Sequence, residues 1–509
     1  MSSTTSTPVG STKISQSTNT PDPRRWLALA VIAIAQLMVV LDASIVTIAL
    51  PRAQQDLGIS DADRQWVVTA YTLAFGGLLL LGGRIADFVG RKRIFLIGLL
   101  GFAAASAVGG AAQNEFMLLG ARALQGAFAA LLAPAALSLI TVTFTEARER
   151  AKAFGVYGAI AGGGAALGLI LGGVLTEYAS WRWCLFVNVP IAIAAALAAL
   201  PTVHESRADG DRHYDIPGAV LVTGGLAALV YGFTEAAKPG VGWLSGSTLT
   251  LLLLSVVMLV GFVVVEMRTS HPLLPLRIAV DRNRGGSFLA SLLVGAGLFA
   301  MFLFLTYYFQ INMGYSPLKS GFAFLPFSLG IIVTAGLASA LLPRTGPKPL
   351  MVTGLVMATA GLFYLTQLGA DSSWLTHVLP AEIVMSVGMA LVFVPLSNLA
   401  LFGVAPRDAG VASALLNTTQ QIGGSLGTAL LNTLYASAVT SYLASHTPGA
   451  AGKVAFQLEG FLHGYRVAFV VGGFMLAAAL IVVIVSINAK RDNVPTLDAA
   501  ETEAVPAAV

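Results

Sequence analysis

Windows of about twenty apolar residues recur about fourteen times along the chain, each bounded by charges, proline or glycine clusters, and no other feature restricts the fold so strongly. A helix rises 1.5 Å per residue, so about twenty residues match a hydrocarbon core about 30 Å thick. Of the 509 residues, 56% are hydrophobic and only 11% charged, against roughly 25% charged in an average soluble domain. So few polar groups cannot cover several soluble cores. Lipid is the expected solvent, and the expected fold class is an all-α membrane protein of about 14 transmembrane helices.

The windows fall near 26–50, 66–86, 94–113, 116–142, 153–176 and 183–202, then 216–236 and 244–266, and finally 286–310, 318–342, 350–370, 376–402, 410–440 and 464–488. They suggest a six-helix bundle over 26–202, two inserted helices with cytoplasmic linkers over 203–285, and a second six-helix bundle over 286–488. Residues 1–25 and 489–509 are expected to be disordered cytoplasmic tails; the first is rich in Ser and Thr and lacks the layout of a cleavable signal peptide. The polar stretch 441–463 reads as a connection too short for a domain.

Charge positions orient these spans. With a cytoplasmic N-terminus, 21 of the 29 Lys and Arg fall on the inner side and six (Arg52, Arg64, Arg182, Lys238, Lys319 and Lys453) outside, while Arg122 and Arg466 lie within windows. Both termini are therefore expected inside. The net charge of +4 then reflects topology rather than an anionic partner, and no nucleic acid is expected. Cys184 is the single cysteine, so no internal disulfide can form.

The first six windows echo the last six. Arg122 precedes Pro134 by twelve positions and Glu382 precedes Pro395 by thirteen. Gly90-Arg91-Lys92 after the second window matches Gly346-Pro347-Lys348 after the tenth, and the glycine-rich fifth window matches Gly423, Gly424 and Gly427 in the thirteenth. An offset of eight windows fits two repeated bundles with two helices between them.

A carboxylate within an apolar helix costs a few kcal/mol unless paired or hydrated, which singles out Asp42. It lies roughly 24 Å up the first helix from Trp26, and Arg122 lies roughly 9 Å down the fourth from its outer end, so the two reach similar depths. They read either as a static ion pair locking two helices or as a titratable site whose proton occupancy follows its partner. Glu382, at a similar depth, has no obvious opposite charge in its own bundle. The stretch Gly83 to Arg93 combines Gly83, Asp87 and Gly90 with Arg91, Lys92 and Arg93. A basic topogenic loop accounts for the last two residues but not for the aspartate and both glycines. Gly164, Gly168 and Gly172, with the adjacent Gly173, permit close helix approach and a sliding surface. Tyr71, Tyr157, Gln125, Tyr307, Asn398, Asn417 and Gln421 are candidates to line a cavity, although aromatic residues on spanning helices more often pack or anchor. No nucleotide-binding or phosphate-binding glycine loop, catalytic elbow or metal-ligand spacing is present, and the six histidines lie in loops or at window ends. No cofactor, metal, ATP or enzymatic activity is expected, and the energy must come from an ion gradient or from the substrate's own.

With these residues in view, the sequence resembles the major facilitator superfamily, specifically its fourteen-span drug:proton antiporters. Gly83 to Arg93 matches the loop signature between spans two and three, Asp42 with Pro51 the first-helix motif, and Arg122, Gln125 and Gly126 the fourth-helix motif, to which a proton-coupling role is attached. Further likenesses are Trp181-Arg182-Trp183 with Phe186, Asn188 and Pro190; Asp215 with Pro217-Gly218; Gly314 to Leu318; and Ala412-Ser413 with Asn417-Thr418 and Gly423-Gly424. Two positions depart from the pattern. Gly168-Leu169 lacks the proline of the fifth-helix exporter motif, and Phe88 stands where a basic residue commonly follows the loop aspartate. The resemblance implies a major facilitator fold in a bacterial inner membrane and proton-coupled efflux of amphipathic organic compounds by alternating access. Asp42 and Arg122 would couple protons, with Glu382 a second proton-coupling group or a cation contact, and Asp87 with Arg91 would gate the cytoplasmic side. A dedicated exporter of one endogenous metabolite or antibiotic is the nearest alternative, and a non-transporting receptor or scaffold the alternative of another class.

Overall fold

A computed structural model describes residues 23–489 apart from 145, 208–214, 239, 271, 403, 405–408 and 449–451. The segments expected as tails lie outside the described residues except for their inner ends. Regular structure among the described residues is helical. α1 (Arg25–Leu57), α2 (Trp66–Val89), α3 (Arg91–Gly110), α4 (Glu115–Thr143), α5 (Ala147–Tyr178), and the broken pair α6 (Trp183–Phe186) and α7 (Asn188–Thr202) come first. α8 (Ile216–Ala237), α9 (Gly246–Arg268) and the short α10 (Leu276–Ala279) follow. The remainder is α11 (Arg282–Tyr307), α12 (Pro317–Ala323), α13 (Leu325–Thr345), α14 (Pro347–Tyr364), α15 (Leu379–Leu401), α16 (Ala409–Ser445) and α17 (Gly452–Ser486).

Twelve helices among the described residues are long and apolar enough to cross a membrane, which makes this a multi-pass membrane protein. Windows 153–176 and 410–440 became α5, with an apolar stretch Gly164–Tyr178, and the Thr-, Gln- and Asn-bearing α16; neither is among the twelve. The stretch 441–463 is not the connection expected from its polarity. α16 continues to Ser445 and α17 begins at Gly452, and the two pack together there: Gly460 meets Leu443, and His463 stacks on Tyr442 at 5.2 Å. Polar residues signal departure from hydrocarbon, not the end of a helix. The first expected tail also ends early, because Arg25 opens α1 and its guanidinium is bound to Glu149 at 2.8 Å.

The helices pair alike in both halves. In the first, α2 and α3 pack on α4, and α1 on α5 and α7; in the second, α13 and α14 pack on α15, and α11 on α16 and α17. The halves meet through α2 against α16 and through α5 against α12 and α13, the equivalent contacts exchanged, while α8 packs on α9, α16 and α2. The inserted pair thus sits at one seam of the two bundles. Glycines set the closeness of α5 and α1: a Cβ at Gly164 would sit 2.9 Å from Val40 Cγ1, one at Gly172 2.9 Å from the Ile45 carbonyl oxygen, and one at Gly168 would collide with Ser44 Oγ. Overfilling a packed contact costs about 1–3 kcal/mol, so Gly168→Val should lower the melting temperature of the purified protein as well as its activity.

Candidate functional site

The end of the bundles bearing Arg84, Asp87 and Arg91 is here termed the basic end, and the opposite one the far end. Asp42, on α1, is completely buried and so nearly is Arg122, on α4. Arg122 Nη1 donates to Asp42 Oδ2 at 2.5 Å, while Gln125 Nε2 (2.9 Å) and Asn188 Nδ2 (2.8 Å) donate to Asp42 Oδ1. Gln125 also reaches Ser106 Oγ and receives Arg122 Nη1, and Arg122 Nε donates to the Val67 carbonyl. Three helices therefore meet at the carboxylate, and α2 and α3 hold its two partners on α4. The glutamine sits one turn after the arginine on the same helical face, and the α6–α7 break places Asn188 at the start of α7. Three donors and no acceptor face Asp42, an arrangement matched to the ionised form.

A cavity of about 2110 Å³ lies between the bundles. Ligand sites for drug-sized molecules are usually about 300–1,000 Å³. Its lining reaches Gly83, Arg84, Asp87, Ser270 and Arg277 at the basic end and ends at Thr47, Val68 and Thr428 toward the far end. Of the residues expected to line it, Tyr71, Tyr157, Asn398, Asn417 and Gln421 do so. Gln125 does not, because it is consumed by Asp42. Asp42 and Arg122 stand behind the wall, and Tyr71 forms the partition, its ring 4.4 Å from the Arg122 guanidinium carbon. Glu382 lies elsewhere in the second bundle, near the start of α15; it is 1% exposed and neither carboxyl oxygen has a hydrogen-bond partner among the described residues.

Tyr307 is the other residue displaced from its expected place. It helps to close the far end. Its hydroxyl donates to Gln54 Oε1 at 2.5 Å and its ring carries the Arg64 guanidinium at 4.0 Å. Arg64, in the link between α1 and α2, is 2% exposed; it also lies over the Tyr435 ring and donates to Asn432 Oδ1 at 3.1 Å. Gln310 donates to the Ile48 carbonyl and Leu318 N to Glu177. All of these join the first bundle to the second. At the basic end, side-chain bonds among the described residues stay within a bundle, as in Lys92 to the Leu200 carbonyl. These contacts shut the far end, whereas the cavity extends to the basic end. The sequence places Arg64 only as one of six basic residues on the outer side, and its local signal is the neighbouring acidic Asp61 and Asp63.

The glycine-bearing loop is held by its own charges. Arg91 donates to Asp87 Oδ1 at 2.8 Å, and Glu205 accepts the backbone N–H groups of Lys92 and Arg93, capping α3. Gly90 has φ +128°, and a Cβ there would lie 2.7 Å from Glu205 Oε1, so both conformation and space demand glycine. Asp87 and Gly83 border the cavity; Lys92 instead ties the loop to α7. Gly173, unlike its three neighbours on α5, faces the other bundle, where a Cβ would come 2.6 Å from Leu318 Cα. Gly173→Val should therefore oppose far-end closure and slow turnover roughly tenfold, with a melting temperature nearer to wild type than that of Gly168→Val.

Two bundles of like contact pattern around a cavity, with a buried ion pair behind its wall, have the build of a secondary transporter. The Major Facilitator Superfamily model matches residues 32–428, and the chain belongs to that superfamily. Among its relatives, the puromycin resistance protein pur8 of Streptomyces alboniger is 53% identical over 465 residues, covering 90% of this chain and 91% of the relative. The cephamycin export protein CmcT of Amycolatopsis lactamdurans is 39% identical, covering 88% and 93%. The tetracenomycin C resistance and export protein of Streptomyces glaucescens is 35% identical, covering 82% and 77%. The fold is similar to that of a bacterial homolog of the human lysosomal transporter Spinster, with a TM-score of 0.65 at 16% identity, covering 94% of this chain and all of that one.

Proposed function

We propose that this protein is a proton-coupled exporter of amphipathic organic compounds in a bacterial inner membrane. The supporting observation is a cavity between the bundles that reaches the basic end and is shut at the far end, with the hydrogen-bonded Asp42–Arg122 pair behind its wall. In this reading α5 and α16 complete the twelve apolar helices to fourteen spans, the basic end is cytoplasmic, and both termini lie there. Residues 26–202 and 286–488 rock about the cavity, with 203–285 at their seam. Protonation of Asp42 removes the charge that holds Arg122, loosening α1 from α4 and releasing the far-end closure. Glu382, a buried carboxyl without a donor, is a second titratable group, and Asp87 with Arg91 gates the cytoplasmic mouth. The family, and the resistance and export proteins among the relatives, support efflux.

The test is dye or drug uptake into inverted membrane vesicles. Uptake should begin when a proton gradient is imposed and stop when it is collapsed; uptake that survives collapse would sink the coupling. A second reading is a dedicated exporter of one compound, favoured by relatives named for single antibiotics. Substrate profiling of a deletion strain separates the two: one hypersensitivity marks the dedicated exporter, many mark the broad one.

A further inference from the structure

The charged groups lining the cavity, among the described residues, are Arg84, Asp87 and Arg277, all at the basic end. None lies deeper. The acids nearest in concept are withheld from a ligand: Asp42 is 0% exposed and receives three hydrogen bonds, and Glu382 does not border the cavity. What the inner cavity offers instead is amides, hydroxyls and rings among aliphatic side chains. Gln420 and Gln421 line it from α16 and make no side-chain hydrogen bond among the described residues, while Gln36 accepts from Tyr157 on the opposite wall. Phe299, Phe302 and Phe327 supply a continuous aromatic side, with Phe302 and Phe327 edge to face at 5.3 Å.

A cation taken from water into a cavity without a counter-ion gains about 2 kcal/mol from a cation–aromatic contact, less than the several kcal/mol its lost hydration costs. Amides donate and accept but cancel no net charge, and aromatic faces reward flat apolar area. The geometry points to an uncharged cargo: the cavity takes polycyclic, hydrogen-bonding organic compounds in their neutral form, and proton and cargo occupy separate sites divided by Tyr71. Coupling then runs through the helices that share the Asp42 network, not through competition between a cationic drug and a proton for one carboxylate. This inference rests on the export reading for its physiological meaning, although cargo class can be measured by binding alone.

Acridone and N-methylacridinium share a ring system and differ in permanent charge. With purified full-length protein, fluorescence titration should give at least roughly tenfold tighter binding of acridone, and replacing Gln420 or Gln421 by Glu should narrow or reverse that ratio for the cation. Equal binding of the two, tighter binding of the cation, binding of neither, or a ratio unmoved in both folded variants would overturn the inference. Gradient-driven uptake into inverted vesicles is read separately. Preferential acridone binding without any proton-driven movement would topple the export reading while leaving the cargo class standing.

Discussion

Asp42→Asn should bring gradient-driven export down to background, a loss of at least about a hundredfold, while cargo binding by the purified protein survives. The substitution is nearly isosteric, but an amide cannot offer acceptors to Arg122 on one side and to Gln125 and Asn188 on the other without turning a donor toward a donor. It also leaves Arg122 buried without a counter-charge. Removing one partner of a buried pair costs about 3–5 kcal/mol, so an earlier melting transition should accompany the loss. Stability alone cannot separate a helix lock from a proton site; the separation comes from exchange. If Asp42→Asn exports at the wild-type rate and still needs the gradient, the pair is structural. Asp42→Glu, which restores a carboxylate at the price of one methylene, should recover part of the rate.

Arg64→Ala should open the far end. In the closed form its guanidinium stacks on Tyr307 and Tyr435 and bonds Asn432, all residues of the second bundle. A desolvated cation–aromatic contact is worth about 2 kcal/mol and a hydrogen bond from a charged group about 1.5–3 kcal/mol. Losing about 4 kcal/mol shifts a two-state ratio roughly a thousandfold. Gln310, bonded to Ile48 across the closure, reports that shift. In a Gln310→Cys background, labelling by an impermeant thiol reagent from the outside should rise at least tenfold when Arg64→Ala is added, and Cys184, fully buried, should contribute little background. Export should fall in parallel because the protein would rest with its cavity turned outward. Arg64→Lys should be intermediate, since an ammonium lacks the planar fork that stacks and bonds at once. Unchanged labelling would show that the closure does not depend on Arg64.

The candidate site is partly legible in the sequence. Asp42 and Arg122 announced themselves because an ionisable group in an apolar helix is expensive, and counting residues brought them to one depth. Gln125 sat beside Arg122 but read as a cavity residue, since polar side chains at one helical level can turn to a partner or to a lumen and sequence does not say which. Asn188 was seen as part of a motif, while its bond to Asp42 depends on the break between α6 and α7. Arg64 shows the opposite failure: charge counting placed it with the outer basic residues, whereas two tyrosines more than 240 positions away cover it. The stretch 441–463 misled for a related reason, because hydropathy reports solvent preference and α16 and α17 simply extend beyond the apolar region.

By itself the sequence determined that this chain lives in lipid, where its apolar helices fall, which charges are anomalous and to which superfamily its motifs belong. Those properties are local and additive, summed from each residue's transfer cost and its neighbours along the chain. The tertiary structure alone decided that Asp42 is saturated behind Tyr71, that the inner cavity is lined by uncharged side chains, and that Arg64 seals one end. Each of these depends on which helix faces meet across hundreds of residues, and a pairing energy exists only once both partners are in place.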